Sequence, residues 1–132
     1  MSVGNLQAAL AALTEVPSLW LEERLQELEA KRNLAYRLLA DIPHVRCPRP
    51  NGAFYLLPDV SHYYGLSTVS GGVTIKDSDD LCLELLKTEQ VALVAGDAFG
   101  APSCIRVSYA ASVDLIDESL LRLKRFLTEG LL

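Results

Sequence analysis

Apolar residues recur at three- and four-residue steps in some stretches of the chain and alternate in others, which divides it into helices and strands before any chemistry enters. Residues 5–14 (NLQAALAALT) are so rich in Ala and Leu that helix is expected from propensity alone. Pro17 interrupts, and a longer helix is predicted through about Asp41, with Leu21, Leu25, Leu28, Ala35, Leu39 and Ile42 forming one buried stripe. Its other face carries Glu22, Glu23, Glu27, Lys31 and Arg32, a solvated charged surface on which Glu27 and Lys31 are spaced to pair. Asp77-Ser78-Asp79-Asp80 offers a capping side chain and then acids for the first turn of a further helix, buried through Leu81, Leu85 and Leu86 and ending near Gln90. Ser112 is placed to cap a last helix whose stripe is Ile116, Leu120, Leu123 and Leu127.

Between the helices the period shortens. Pro48 and Pro50 cannot donate to a sheet ladder, so HVRCPRP is an edge strand at best. Asn51-Gly52 reads as a tight turn whose two residues both tolerate positive φ, followed by an apolar strand from Ala53 to Leu57 that Pro58 ends. Residues 59–76 show no period and hold Gly65, Gly71 and Gly72, which predicts a long surface loop. Val91 to Ala95 is a short apolar strand. In 103–110, Ile105, Val107 and Tyr109 face one way while Cys104, Arg106, Ser108 and Ala110 face the other. The order implies an α+β fold, a small and mostly antiparallel sheet packed against helices.

Composition narrows the classes of function. The chain has 132 residues, 50% hydrophobic and 22% charged, enough for one domain with a real core. A net charge of −5 without a basic patch disfavours nucleic acid and anionic membrane as partners. No apolar run approaches the ~18 residues of a membrane span, and the first residues lack the charged start of a signal peptide. Cys47, Cys82 and Cys104 are odd in number and widely spaced, and only two histidines are present. Reduced thiols in a cytoplasmic or organelle-stroma protein are therefore expected, rather than disulfides or a zinc site.

Arg106 is the sharpest chemical feature. A guanidinium grips a carboxylate through two parallel hydrogen bonds and keeps its charge on burial. A strand that follows the glycine-bracketed loop Gly96–Gly100 would hold it rigidly. The alternative is an edge-strand arginine paired with a nearby aspartate. Asp97 suits a turn cap better than a cation site, and His44 and His62 read as isolated surface residues without partners at ligand spacing. Tyr63-Tyr64 fits either a pocket wall or a loop anchor, and Cys82 and Cys104 fit structural positions on an apolar helix and strand. No GK[ST] follows the glycines, so they form no phosphate loop.

Two segments read together go further. PNGAFYLLPDVSHYYG (50–65) and VALVAGDAFGAPSCIRVSYAAS (91–112) resemble the C-terminal part of class I and II pyridoxal-phosphate-dependent aminotransferases. In that family P-x-G-A-F-Y recurs, as does V-x-V-x-P-G-x-x-F-G followed by I-R-x-S-Y-A. The intervening Ser-Asp-Asp-Leu-Cys-Leu helix and the YYG loop are most similar to the bacterial and plastid aspartate and prephenate branch. The resemblance runs from about Gln7 into the last helix, with residues 1–15 corresponding to the end of the large domain and 16–132 to the small domain.

The resemblance implies that Arg106 binds the α-carboxylate of an amino-acid or 2-oxo-acid substrate. Phe54 would pack on the active-site side, and Gly52 would let the backbone turn close to the substrate. Position 95 is Ala where the family usually has Pro. The family's cofactor is pyridoxal 5′-phosphate, joined to a lysine in an S-x-x-K context that lies upstream of the segment matching Gln7. Lys31, Lys76, Lys87 and Lys124 lack that context, so no covalently bound cofactor is expected on this chain. Three functions follow as expectations: the substrate-clamping part of an aspartate-type aminotransferase, incomplete by itself; a non-catalytic interaction module, as a homodimer or with a missing large domain; or a weak amino-acid or 2-oxo-acid binding domain.

Overall fold

A computed structural model describes residues 2–132. Two helices lead, α1 (Val3–Thr14) and α2 (Ser18–Ala40), and then strand β1 (Tyr55–Leu56) and helix α3 (Ser78–Glu89). Strands β2 (Val94–Ala95) and β3 (Ile105–Ser108) and helix α4 (Val113–Glu129) complete the order, with single 3-10 turns at Ser61–Tyr63 and Gly96–Phe99. The α+β reading holds. The three strands are antiparallel in the order β1-β3-β2, with Tyr55 opposite Ser108 on one side and Val94 opposite Arg106 on the other. β3 is therefore the central strand.

The helix starts follow their caps. The Asp77 carboxylate accepts the Asp80 N–H at 2.9 Å and the Ser112 hydroxyl accepts that of Leu115 at 3.3 Å, each relieving an N–H that the helix cannot pair. The alternation of β3 also holds: Ile105, Val107 and Tyr109 are buried while Arg106 is half-buried and Ser108 exposed. The buried ones join a core with Leu39 of α2 and Ile42 just beyond its end, Leu81 and Leu85 of α3, and Leu120, Leu123 and Leu127 of α4. Burying each such side chain stabilises the fold by about 1.5–3 kcal/mol.

Five sequence expectations are corrected. The apolar stripe of α2 is buried only in its C-terminal half, because the body of the fold meets the helix only there: Ala35, Leu39 and Ile42 are enclosed, while Leu21 and Leu25 are exposed. Glu27 pairs with Arg24 one turn earlier, at 2.9 Å, instead of Lys31. Leu86 is exposed as α3 turns that position outward. Residues 59–76 are no free surface loop. Val60, Tyr63, Thr68 and Ile75 are buried, and the Ser67 and Leu132 backbones exchange hydrogen bonds of 2.8 and 2.9 Å that tie the segment to the C-terminal end. Backbone pairing there follows no simple side-chain period, so periodicity does not reveal it. The apolar runs 53–57 and 91–95 are each reduced to a two-residue ladder, β1 and β2.

Candidate functional site

Arg106 sits in the middle of the sheet, on the face away from the core. Its guanidinium carbon is 4.6 Å from the centre of the Tyr55 ring and 4.5 Å from that of Phe99. Tyr55 lies on β1 and Phe99 follows β2, so the rings arrive from the two flanking sides of β3. The alternative of an edge arginine paired with an aspartate does not hold. Every ion pair among the described residues is on a helix or at a helix end, and none includes Arg106. The charge stands half-exposed and free of acids, as a group that takes an external anion must.

The loop before β3 is closed by its glycines. A Cβ on Gly96 would lie 2.2 Å from the Ala101 carbonyl oxygen and 2.3 Å from that of Cys104, both backbone, so only glycine fits. The same closeness lets the Gly96 N–H donate to Cys104 O at 2.9 Å and the Ala101 N–H donate to Gly96 O at 3.0 Å. Gly100 adopts φ 70°, a left-handed geometry that ends the 3-10 turn directly after Phe99. Asp97 closes this turn through its carbonyl, which accepts the Gly100 N–H at 3.0 Å, while its exposed carboxylate caps nothing.

On the other flank Tyr109 fixes the backbone before β1. Its N–H donates to Phe54 O at 3.0 Å and its hydroxyl to Ala53 O at 2.7 Å. The left-handed residue of this turn is Ala53, at φ 58°, rather than Asn51 or Gly52, because the Tyr109 bonds set the turn one residue later than the Asn-Gly signal. Phe54 is 41% exposed and its ring lies 4.2 Å from that of Tyr55, so it reaches Arg106 only through Tyr55. Gly52 opens onto a shallow cavity of about 250 Å³ with Asn51, Leu28, Arg32 and Tyr109, which does not include Arg106. The ring beside the arginine is one residue beyond the one the motif singles out. Tyr55 and Phe99 were the functional candidates that sequence reading missed; their only signal was aromatic character at positions flanking a charged strand residue.

The remaining candidates fall into structural roles. The Tyr63 hydroxyl donates to Pro43 O at 2.5 Å and that of Tyr64 to Pro102 O at 2.8 Å, making both loop anchors. Burial pushes the Tyr64 hydroxyl up to about 12, which keeps it a donor. His44 and His62 are not isolated: their rings stack at 3.8 Å, and His62 meets Tyr63 edge-on at 5.4 Å. The three cysteines are half-buried and unpaired, and burial pushes the Cys47 and Cys82 thiols up to about 11. Among the described residues no group of three or more His, Cys, Asp or Glu is placed to hold a metal ion, and no helix is long and apolar enough to cross a membrane.

Comparison with known proteins places the chain as a whole in a family. The family model of class I and II aminotransferases covers residues 2–122, and the chain belongs to that family. Within it, the chain is 40% identical over 110 residues to the aspartate aminotransferase of Bacillus subtilis (strain 168), spanning 83% of this chain and 26% of that protein. It is 42% identical over 103 residues to the bifunctional aspartate aminotransferase and glutamate/aspartate-prephenate aminotransferase of Petunia hybrida, across 78% of this chain and 21% of the relative. Among solved structures, the aspartate aminotransferase of Rhizobium meliloti superposes with a TM-score of 0.86 at 34% identity, covering 95% of this chain and 30% of that one. The chain thus spans about a quarter of the length of the relatives it matches.

Proposed function

We infer that these residues form the substrate-clamping small domain of an aspartate-type aminotransferase, with Arg106 as the group that grips the α-carboxylate of an amino acid or 2-oxo acid. The observation that carries this reading is the arginine itself: half-exposed on the central strand, without an acidic neighbour, and with aromatic rings about its charge. Its fork of N–H donors recognises a planar carboxylate in two-point fashion. Phe54 supports the site through Tyr55, whereas Gly52 faces open space, where a Cβ would meet nothing within 4 Å, in a cavity apart from Arg106.

Pyridoxal 5′-phosphate, which the family implies, supplies an electron sink for reaction at Cα when bound. The residues of this chain do not fit its attachment. Lys87 and Lys124 are engaged by Glu84 and Asp41, Lys31 lies on α2, and Lys76 leads into α3, where its backbone N–H donates to the Asp80 carboxylate at 3.1 Å. On this reading residues 16–132 are the small domain, 1–15 belong with a large domain, and the cofactor lysine comes from that domain. The chain alone then binds substrate weakly, as half of a cleft does, and does not transaminate. Calorimetry with aspartate, glutamate and 2-oxoglutarate, repeated on Arg106→Ala, tests it. Weak heats that vanish in the variant support the anchor, and identical heats contradict it.

A second reading, an interaction module, is favoured by α1. Val3, Leu6, Leu10 and Leu13 are all exposed, together with Leu19, Trp20 and Leu25 at the start of α2. Such a surface fits a covering partner, either the large domain or a second copy. A clean monomer in size-exclusion chromatography with no binding of an apolar dye is the result against it. The half-buried free thiols and the bacterial relatives support a cytoplasmic setting, with the plastid stroma the alternative given a plant relative.

A further inference from the structure

We propose that Tyr55 and Phe99 are positioning residues that hold the Arg106 guanidinium between them, so that only its edge of N–H donors is presented to a ligand. The register puts Tyr55 opposite Ser108, two residues along β3 from Arg106, so the two side chains share the outer face as diagonal neighbours. Val94 stands directly opposite Arg106 on the other strand, and the chain then turns through Gly96–Phe99 to bring the second ring back. Both ring centres lie within stacking range of the guanidinium carbon, at 4.6 and 4.5 Å.

Two consequences follow. An arginine on an unpaired side chain samples many rotamers, and fixing it at the moment of binding costs free energy; rings that already hold the plane remove much of that cost. Covering the faces also leaves in-plane approach as the open direction. A flat carboxylate satisfies two N–H donors in that plane, whereas a tetrahedral oxyanion is matched less well. The glycines of the loop acquire a purpose here. Gly96 admits no Cβ and Gly100 needs its left-handed turn, and together they fix where the Phe99 ring stands.

The proposal rests on the carboxylate reading only for what the arginine is held for, so the test separates the two. The Arg106 Nε–H signal of the isotope-labelled chain is followed by NMR, for its ring-current shift and its relaxation, without ligand and then with L-aspartate or inorganic sulfate. The variants are Phe99→Leu, Phe99→Tyr, Tyr55→Leu and Tyr55→Phe, with the backbone amide spectrum checking that each folds. Phe99 is 49% exposed, so its replacement leaves the core intact. An ordered, ring-shifted signal is expected in the parent chain, in Phe99→Tyr and in Tyr55→Phe. Either leucine variant is expected to lose the shift, to mobilise the side chain and to weaken aspartate binding by about fivefold, the size of one such contact. Sulfate is expected to bind more weakly than aspartate and to lose less. A mobile Arg106 in the parent chain, or leucine variants indistinguishable from it, overturns the proposal. If aspartate moves nothing while the rings still order Arg106, the positioning stands and the carboxylate reading falls.

Discussion

Helices α1 and α4 reverse the usual link between apolar content and burial. α1 is almost wholly Ala, Leu and Val apart from small polar residues, and it buries none of its side chains. α4 is studded with Asp, Glu, Lys and Arg, and it encloses Ile116, Leu120, Leu123, Phe126 and Leu127. The difference is cover. In α4 the apolar residues hold one stripe that α2 and α3 cover, and the charges fall outside it. In α1 the large apolar residues Val3, Leu6, Leu10 and Leu13 also share one face, but none of them is buried, and alanines occupy much of the rest of the helix. One region is stabilised by its own contacts; the other gains stability only from what lies against it.

The comparison is broken most forcefully at the core. Leu85→Ala, at a position with no exposure, should cost about 2–5 kcal/mol in denaturant unfolding. Leu10→Ala on α1 should stay within about 0.5 kcal/mol of the parent. Comparable losses at both sites would mean that α1 is packed after all. Next in size is Gly96→Ala, where the new Cβ must displace backbone oxygens 2.2 and 2.3 Å away. A loss of about 1–3 kcal/mol is expected, and because Phe99 rides on the same loop, the Arg106 side-chain signal should shift with it.

Ala95→Pro carries the opposite sign. Ala95 has φ −60°, which proline adopts without strain, and with Gly96 N–H bonded to Cys104 O the Ala95 N–H faces away from β3. A gain of about 0.4–1 kcal/mol in thermal or denaturant unfolding is expected, chiefly from a less flexible unfolded chain. A loss would show that the edge of β2 uses that N–H.

The smallest effect is electrostatic. The Ser61 hydroxyl, bonded at 2.7 Å, holds the Asp59 carboxyl below its ordinary 3.8, helped by the Ser61 N–H and by Arg46 nearby. A depressed folded value means that the unfolded chain binds the proton more tightly. Stability from Asp59 is therefore complete above about pH 4 and is lost as pH falls through the folded value. Asp59→Asn should flatten the acid side of the stability curve by lowering its neutral-pH plateau, and leave stability below the folded value almost unchanged.

Much of this was legible in the sequence because short-range physics decides it. The caps at Asp77 and Ser112 and the alternation of Ile105, Arg106 and Val107 are read from neighbours within a turn or a pleat. What stayed hidden depends on partners far along the chain. The segment 59–76 is structured by Leu132 and Ser103, and the Asn-Gly turn is shifted to Ala53 by Tyr109. His44 and His62 meet although eighteen positions separate them. The site divides along the same line: Arg106 stands out as a lone charge in an apolar strand, whereas Tyr55 and Phe99 become its neighbours only once β1 and β2 flank β3.

The central claim, that Arg106 takes a substrate α-carboxylate, is tested most directly by a cycle between protein and ligand. Binding of L-aspartate and of its α-amide, which lacks the α-carboxylate charge, is measured on the parent chain and on Arg106→Ala. Amidation is expected to weaken binding to the parent chain and to have little further effect on the variant, because both changes remove one shared interaction. Independent losses that simply add, or aspartate and its α-amide binding the parent chain equally well, would contradict it.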